Sequence, residues 1–364
     1  MVGAEPMPIA IEVSFLPSAK AGFHIVGLPD AAVREARQRV RSAVREQGFR
    51  FPPGAVIVNL SPADLPKAGA AYDFPIALAI VAATSDVPID FSRFVAVGEL
   101  SLRGEVRPVR TLMAAIEISR SRGQVCLASA ASSVRSGDAV WVRGVRSLSE
   151  AVAVAAGTRD GEPLRVCTER GQPPIDIGIV RGQQGVKRAM EVAAAGGHHL
   201  IMQGPPGSGK TLLARCLPGI LPQLTDDEER EVALVWAAAG LDRPLDTAPP
   251  FRSPHHSASL PSLVGGGVGV PTPGEVSIAH RGVLFLDELG EFPPGSLDAL
   301  RQPIEDGHIS IARSSRTIRF PSRIQVVAAT NPCPCGYEGD WRTPCSCSDA
   351  RKERYRNRLS GPFT

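Results

Sequence analysis

The residues most able to do chemistry lie in one octet, Gly204-Pro205-Pro206-Gly207-Ser208-Gly209-Lys210-Thr211, entered from the apolar run 199–202 and followed by Leu212. This is a complete G-x-x-x-x-G-K-T phosphate loop. Its glycines let successive backbone N–H groups turn inward around phosphates. Lys210 supplies a cation for the outer phosphates, and Thr211 a hydroxyl ligand for Mg²⁺. The bland alternative, a glycine-rich turn ahead of a helix, does not account for a full motif in a strand-to-helix setting. The expected ligand is ATP with Mg²⁺.

A second chemical element follows. Val283-Leu284-Phe285-Leu286 reads as a buried strand that ends on Asp287 and Glu288, placing both carboxylates at the carboxyl edge of a parallel sheet. Asp287 is expected in the Mg²⁺ shell, and Glu288 is expected to polarise the attacking water as a general base. A further apolar run, 324–330, ends on Asn331, placed to orient the same water. Taken alone, the carboxylates could be the polar end of a core strand and the Asn a strand cap.

Strand, phosphate loop, helix, acidic strand and Asn-ended strand, in that order, resemble the AAA+ ATPases. The wording narrows the resemblance. Ala193-Ala194-Ala195-Gly196-Gly197-His198-His199, Leu284-Phe285-Leu286-Asp287-Glu288-Leu289, Ala299-Leu300-Arg301-Gln302-Pro303-Ile304-Glu305-Asp306-Gly307 and Asn331-Pro332-Cys333-Pro334-Cys335-Gly336 are similar to the YifB/ComM family of magnesium-chelatase-like ATPases. That resemblance runs from about Ala21 to Pro362. It implies a ring-forming, ATP-driven machine on DNA, a hexamer when intact, with branch-migration helicase activity in natural transformation as the known case. In AAA+ proteins the segment opening the ATPase domain lies against the adenine, and here Val180 and Gln183 are the expected contacts.

These groups need elements to hold them. The chain has 364 residues with ordinary apolar and charged fractions, enough for two cores and unlike a disordered chain. A Gly-, Pro- and charge-rich stretch separates two regions with their own apolar periodicity, so we expect a domain over 1–157, a linker over 158–176 and an ATPase core over 177–364. The first region reads as a strand over 9–13, a helix over 30–47 with Asp30 as cap and Gly48 as stop, a strand over 55–60, and helices over 74–83 and 111–121. Its stretches 65–71 and 97–109 look like the proteolytic domain of Lon. Matching residue by residue places Ala71 at the Ser nucleophile and Met113 at the Lys, and neither can do nucleophilic catalysis. The expected fold is therefore α/β throughout: an α+β Lon-protease-like domain without its catalytic dyad, then an AAA+ P-loop α/β/α domain lacking its helical lid.

Charge is uneven. From residue 309 to the end there are ten Arg and Lys against four Asp and Glu, on a chain whose net charge is +3. That suggests a polyanionic partner, DNA, single-stranded or branched, bound without sequence specificity, or else a solvated helix over 350–358. Residues 308–320 alternate across a Ser-Ser turn and read as a hairpin in which Arg313, Arg316 and Arg319 meet phosphates or keep an edge soluble. The glycine-rich stretch 263–271 is expected to be a loop facing the substrate. No helix-turn-helix or zinc-finger pattern is present.

Seven cysteines suit a reducing compartment. Four of them, Cys333, Cys335, Cys345 and Cys347, form two C-x-C pairs that could hold a structural Zn²⁺, remain reduced thiols, or pair as disulfides. His255 and His256 form a further pair, read as a loop or substrate contact. No stretch reaches the length of a bilayer span and no signal peptide is visible, so a cytoplasmic location is expected. The resemblance also implies that an arginine finger and a helical lid lie beyond Ser360-Gly361-Pro362, whereas this chain stops at Thr364. Three readings follow: a DNA-remodelling ring ATPase, a magnesium-chelatase-like motor acting on a protein partner, or a truncated nucleotide-binding fragment without hydrolysis.

Overall fold

Helical spacing of Val33, Ala36, Val40, Ala43 and Val44 produces the helix Ala31–Glu46, which buries all five. The Asp30 carboxylate caps it by accepting from the Val33 N–H at 2.7 Å, satisfying one of the donors that a helix start leaves free. The computed structural model describes residues 1–17, 20–85, 88–167, 174–243, 248–267, 270–313, 316–340 and 342–359. The chain divides into two compact units, one holding Glu5–Glu169 and the other Arg170–Thr364 with Val2–Ala4.

In the first unit, strand Ala55–Ser61 lies between Ala10–Leu16, antiparallel to it, and Gly22–Val26, parallel to it. The helices Ala31–Glu46 and Asp73–Thr84 close one core around Val40, Phe74, Ile76 and Leu127. A second, parallel sheet of Phe94–Ala96, Val125–Ser129 and Val142–Val145 packs with the helix Leu112–Arg122 around Ile116 and Val142. Ala71 and Met113 rest against that second core. Ala71 also lines a cavity of about 440 Å³ together with Ile9, Tyr72, Phe94, Thr111 and Ile118. Of the segment expected as linker, residues 168–173 lie outside the described residues, while Arg165–Val166 pairs in parallel with Ser133–Val134 and Leu164 is buried.

The second unit is built on a four-stranded parallel sheet in the order Leu200–Gln203, Gln325–Thr330, Val283–Leu286, Phe251–Arg252. Parallel strands covered on both faces read as continuous apolar runs, and every residue of Val283–Leu286 and Gln325–Thr330 is buried. One core lies around Met190, Leu213 and Phe285, with the helix Gln184–Gly196. Another lies around Leu284, Leu297, Leu300 and Ala328, with the helix Pro294–Asp306. The hairpin pairs His308–Arg313 antiparallel with Arg316–Pro321, burying Ile309, Ile318 and Phe320. The Ser-Ser turn lies outside the described residues. The stretch expected as a loop over 263–271 begins inside the helix Leu260–Val264, because Leu263 has a core to enter. Beyond it, Gly266 and Thr272 exchange backbone hydrogen bonds at 3.0 and 2.8 Å, and Val268 and Gly269 lie outside the described residues.

Candidate functional site

The strand Leu200–Gln203 delivers the chain into the phosphate loop, and the helix Lys210–Cys216 begins at the loop's last residues. Gly207 and Gly209 both take left-handed backbone, φ +75° and +86°, and a side chain added at either would meet open space. Glycine provides this conformation without strain. Lys210 Nζ donates to the carbonyls of Gly204 at 2.7 Å and Pro205 at 3.0 Å, and to Asn331 Oδ1 at 3.2 Å. Burial lowers the Lys210 pKa, against the pull of the Asp287 and Glu288 carboxylates. Ser208 Oγ is buried without a hydrogen-bond partner, an orphaned donor inside the loop.

The neighbouring strands bring the rest. Thr211 Oγ1 donates to Asp287 Oδ2 at 2.8 Å, so the hydroxyl and the carboxylate expected on one Mg²⁺ are in direct contact. Glu288 follows in left-handed backbone at φ 52°, which costs a non-glycine residue about 1–2 kcal/mol. Its N–H donates to Asp287 Oδ1 at 3.0 Å, and its side chain, 57% exposed, stands 3.5 Å from His256 Nδ1. The rings of His255 and His256 lie 4.1 Å apart. From sequence this pair reads as a loop or substrate contact, and no spacing signal links His256 to Glu288.

The parallel order of the strands explains this convergence. Val283–Leu286 and Leu200–Gln203 both flank Gln325–Thr330, so the phosphate loop, Asp287, Glu288 and Asn331 emerge together at one sheet edge. The expected adenine contacts fall out differently. Val180 is buried with Met190 and Met202, while Gln183 is exposed in left-handed backbone at φ 54°. Leu212 is 40% exposed. Pro206 lies beside Gly336, and a Cβ on Gly336 would lie 2.7 Å from Pro206 Cδ.

Just after Asn331 the four thiols meet. Sγ of Cys333 lies 3.4 Å from that of Cys335 and 3.6 Å from that of Cys345, and Cys335 and Cys345 are 3.5 Å apart. All four sulfurs, Cys347 included, lie within 4.8 Å of one another, and all are free thiols. Backbone N–H donation from Tyr337 brings the Cys335 thiol down to about 5. Helix Asp349–Leu359 then packs back, its Tyr355 hydroxyl 3.1 Å from Thr330 Oγ1 and its ring against Gly290. Nothing in the sequence marks Tyr355 for that position.

The basic residues are dispersed. Arg319 is exposed on the hairpin, and the side chains of Arg313 and Arg316 lie outside the described ones. Arg351 and Arg354 are exposed, whereas Lys352 and Arg356 both reach Glu338, at 3.5 and 2.8 Å. Residues 360–364 lie outside the described residues. Among the described residues, no helix is long and apolar enough to cross a membrane.

Comparison with known proteins adds a family. The family described as magnesium chelatase, subunit ChlI, matches residues 176–364, and a second, subunit ChlI of Mg-chelatase, matches residues 11–130. The chain is 42% identical over 375 residues to the competence protein ComM of Haemophilus influenzae, covering 100% of this chain and 72% of that one. It is 42% identical over 371 residues to the uncharacterized protein YifB of Salmonella typhimurium, with 100% and 72% covered. Lon protease 2 of Bacillus subtilis is 31% identical over 174 residues, 45% of this chain and 31% of that protein.

Proposed function

The chain belongs to the YifB/ComM family of magnesium-chelatase-like AAA+ proteins, and from that premise we propose that it is a Mg-ATP hydrolase that remodels DNA as a ring, in the cytoplasm. The observation that carries the nucleotide half is the contact of Thr211 Oγ1 with Asp287 Oδ2 at 2.8 Å, beside a loop whose Lys210 ammonium is already bent over it. The residues fit the ligand: the buried Ser208 Oγ has no partner, and a bound polyphosphate would give it one. Mg-ATP supplies the polyphosphate and an electrophilic phosphorus.

The chain's own groups divide the work. Thr211 and Asp287 would hold the metal, and the loop from Gly204 to Gly209 would donate backbone N–H groups to phosphate oxygens. Lys210 exchanges its carbonyl partners for the more strongly accepting phosphate. Glu288 takes the proton of the attacking water, with His256 beside it to hold its carboxylate. Asn331, its Oδ1 engaged by Lys210, keeps its amide N–H₂ for that water. Val180 and Gln183 are the residues assigned to the adenine.

DNA as the partner is supported by the likeness to a competence protein and by the basic end of the chain. Arg319, with Arg313 and Arg316 on the same hairpin, would meet phosphates and therefore bind without reading sequence. The ring, with six copies as its expected size, rests on family membership. A second reading, a motor acting on a protein partner, is favoured by the chelatase-subunit matches over 176–364 and 11–130. The metal of the hydrolytic step is Mg²⁺. Were the thiol cluster to hold a metal, four thiolates would leave that ion no open coordination position for the reaction.

The test is steady-state ATP hydrolysis with Mg²⁺, with and without single-stranded and branched DNA, using Glu288→Gln as the blank. Turnover that rises with DNA and disappears in the variant is expected. Turnover that ignores DNA would favour the protein-partner motor, and turnover no higher than the variant's would reduce the chain to a nucleotide-binding fragment.

A further inference from the structure

Among the described residues, the segment from Asn331 to Ser348 contains neither helix nor strand, and its Gly336 lies against Pro206 of the phosphate loop. Its apolar content is slight, and ordering each residue costs about 1–2 kcal/mol of backbone entropy. Something other than a core must hold it. The sulfurs of Cys333, Cys335 and Cys345 form a triangle with edges of 3.4, 3.5 and 3.6 Å, and Cys347 completes a four-cornered cluster within 4.8 Å. Four thiolates about 2.3 Å from one Zn²⁺ in a tetrahedron stand about 3.8 Å apart. The observed edges are within a few tenths of an ångström of that figure. The Cys347 N–H also points at Cys345 Sγ, 3.4 Å away, the kind of outer contact that orients a ligating sulfur.

The position of the cluster is informative. Cys333 stands two residues after Asn331, whose Oδ1 accepts from Lys210. Gly336, next after Cys335, is buried at φ +88° with the Pro206 ring against it. Cys347 stands two residues before the helix Asp349–Leu359, whose Tyr355 touches Thr330 and Gly290. One ion would therefore tie together the end of the Asn331 strand, the outer wall of the phosphate loop, and the helix that backs the turn after Glu288. We propose that Cys333, Cys335, Cys345 and Cys347 bind one Zn²⁺, and that this closed site braces the nucleotide loop by fixing Gly336 against Pro206 and Asn331 beside Lys210. Binding releases the thiol protons to solvent and involves no change of oxidation state. The brace rests on the nucleotide reading above, whereas the metal site does not.

The full chain, purified under reducing conditions, tests both parts. Zinc is counted by mass spectrometry, Co²⁺ is substituted and its absorption read, and a fluorescent ATP analogue is titrated before and after chelation. We expect one zinc per chain and thiolate-to-metal charge-transfer bands with a tetrahedral cobalt spectrum. Nucleotide binding should weaken about fivefold or more on metal removal and recover when Zn²⁺ is returned. The double variant Cys333→Ser, Cys345→Ser should lose both metal and tight binding. If that variant does not fold, the chelated wild type, with far-ultraviolet circular dichroism as control, serves in its place. A reduced chain that takes up neither Zn²⁺ nor Co²⁺ overturns the site. Zinc that can be removed without changing nucleotide affinity overturns the brace. Absence of nucleotide binding by the zinc-loaded chain overturns the nucleotide reading and the brace with it, while zinc stoichiometry still decides the site.

Discussion

Replacing Gly336 by Ala probes the wall behind the phosphate loop without touching any group assigned to chemistry. At φ +88° an L side chain costs about 1–2 kcal/mol. The added Cβ would also lie 2.7 Å from Pro206 Cδ and 2.8 Å from Cγ, against an ordinary contact of 3.4–4 Å. Pro206 is a ring closed onto the backbone, so it can yield only by shifting the loop itself. Forced overpacking of that kind costs about 1–3 kcal/mol. Gly339→Ala is the control: it has nearly the same backbone angle, φ +80°, and nothing within 4 Å of its Cβ. Both variants should lose the conformational term in thermal denaturation. Only Gly336→Ala should also weaken binding of a fluorescent ATP analogue, by about tenfold for each 1.4 kcal/mol that reaches the loop. Equal affinity in the two variants would refute the claim that this segment bears on the phosphate loop.

Other predictions test separate parts of the molecule. His280 is buried with Nδ1 accepting from the Arg323 N–H at 3.1 Å and Nε2 3.1 Å from Glu231, and burial lowers its pKa below the ordinary 6.5 despite Glu231, with Arg281 and Arg323 adding to the lowering. The unfolded chain therefore binds a proton that the folded one refuses, so stability is full above pH 6.5 and falls as pH drops through and below it, by up to about 1.4 kcal/mol per pH unit. His280→Gln should flatten that slope in melting curves between pH 8 and 5. Arg243 and Glu229, 8% and 6% exposed, pair at 2.8 Å, so Arg243→Met should cost about 3–5 kcal/mol in urea denaturation by removing one side of a buried ion pair. If Arg319 meets DNA phosphate, Arg319→Glu should weaken DNA binding across all sequences and reduce the salt slope by about 1, with ATP affinity unchanged.

The parts of the site carried by contiguous runs were readable from sequence. A phosphate loop is a local backbone shape, so its residue types appear side by side, and apolar strands such as Val283–Leu286 announce themselves by composition. Asp30 as helix cap was readable for the same reason. What escaped depends on contacts between segments distant in sequence. The two-residue strand Phe251–Arg252 has no periodicity to detect, and it exists because Val283 and Leu284 offer it an edge. His256 reaches Glu288, Tyr355 reaches Thr330, and Gly336 reaches Pro206 only once the sheet order is known. The glycine-rich stretch after Pro261 was legible as irregular but not as beginning in a helix, since Leu263 earns its helical turn from burial.

Among the described residues, the strand Leu200–Gln203 has a partner on one side only and forms an edge of its sheet, with Ile201 45% exposed. Mechanically, the phosphate loop is a cantilever, clamped through the parallel ladder to Gln325–Thr330 and unsupported along its outer border. Stiffness on the clamped side sets how far the loop deflects under load. On the open side, unpaired backbone groups offer a slot that another strand could fill, and whatever occupied it would convert the cantilever into a beam held at both edges. Amide exchange along Leu200–Gln203, fast for outward-facing groups and slow for those bonded to Gln325–Thr330, would measure that asymmetry residue by residue.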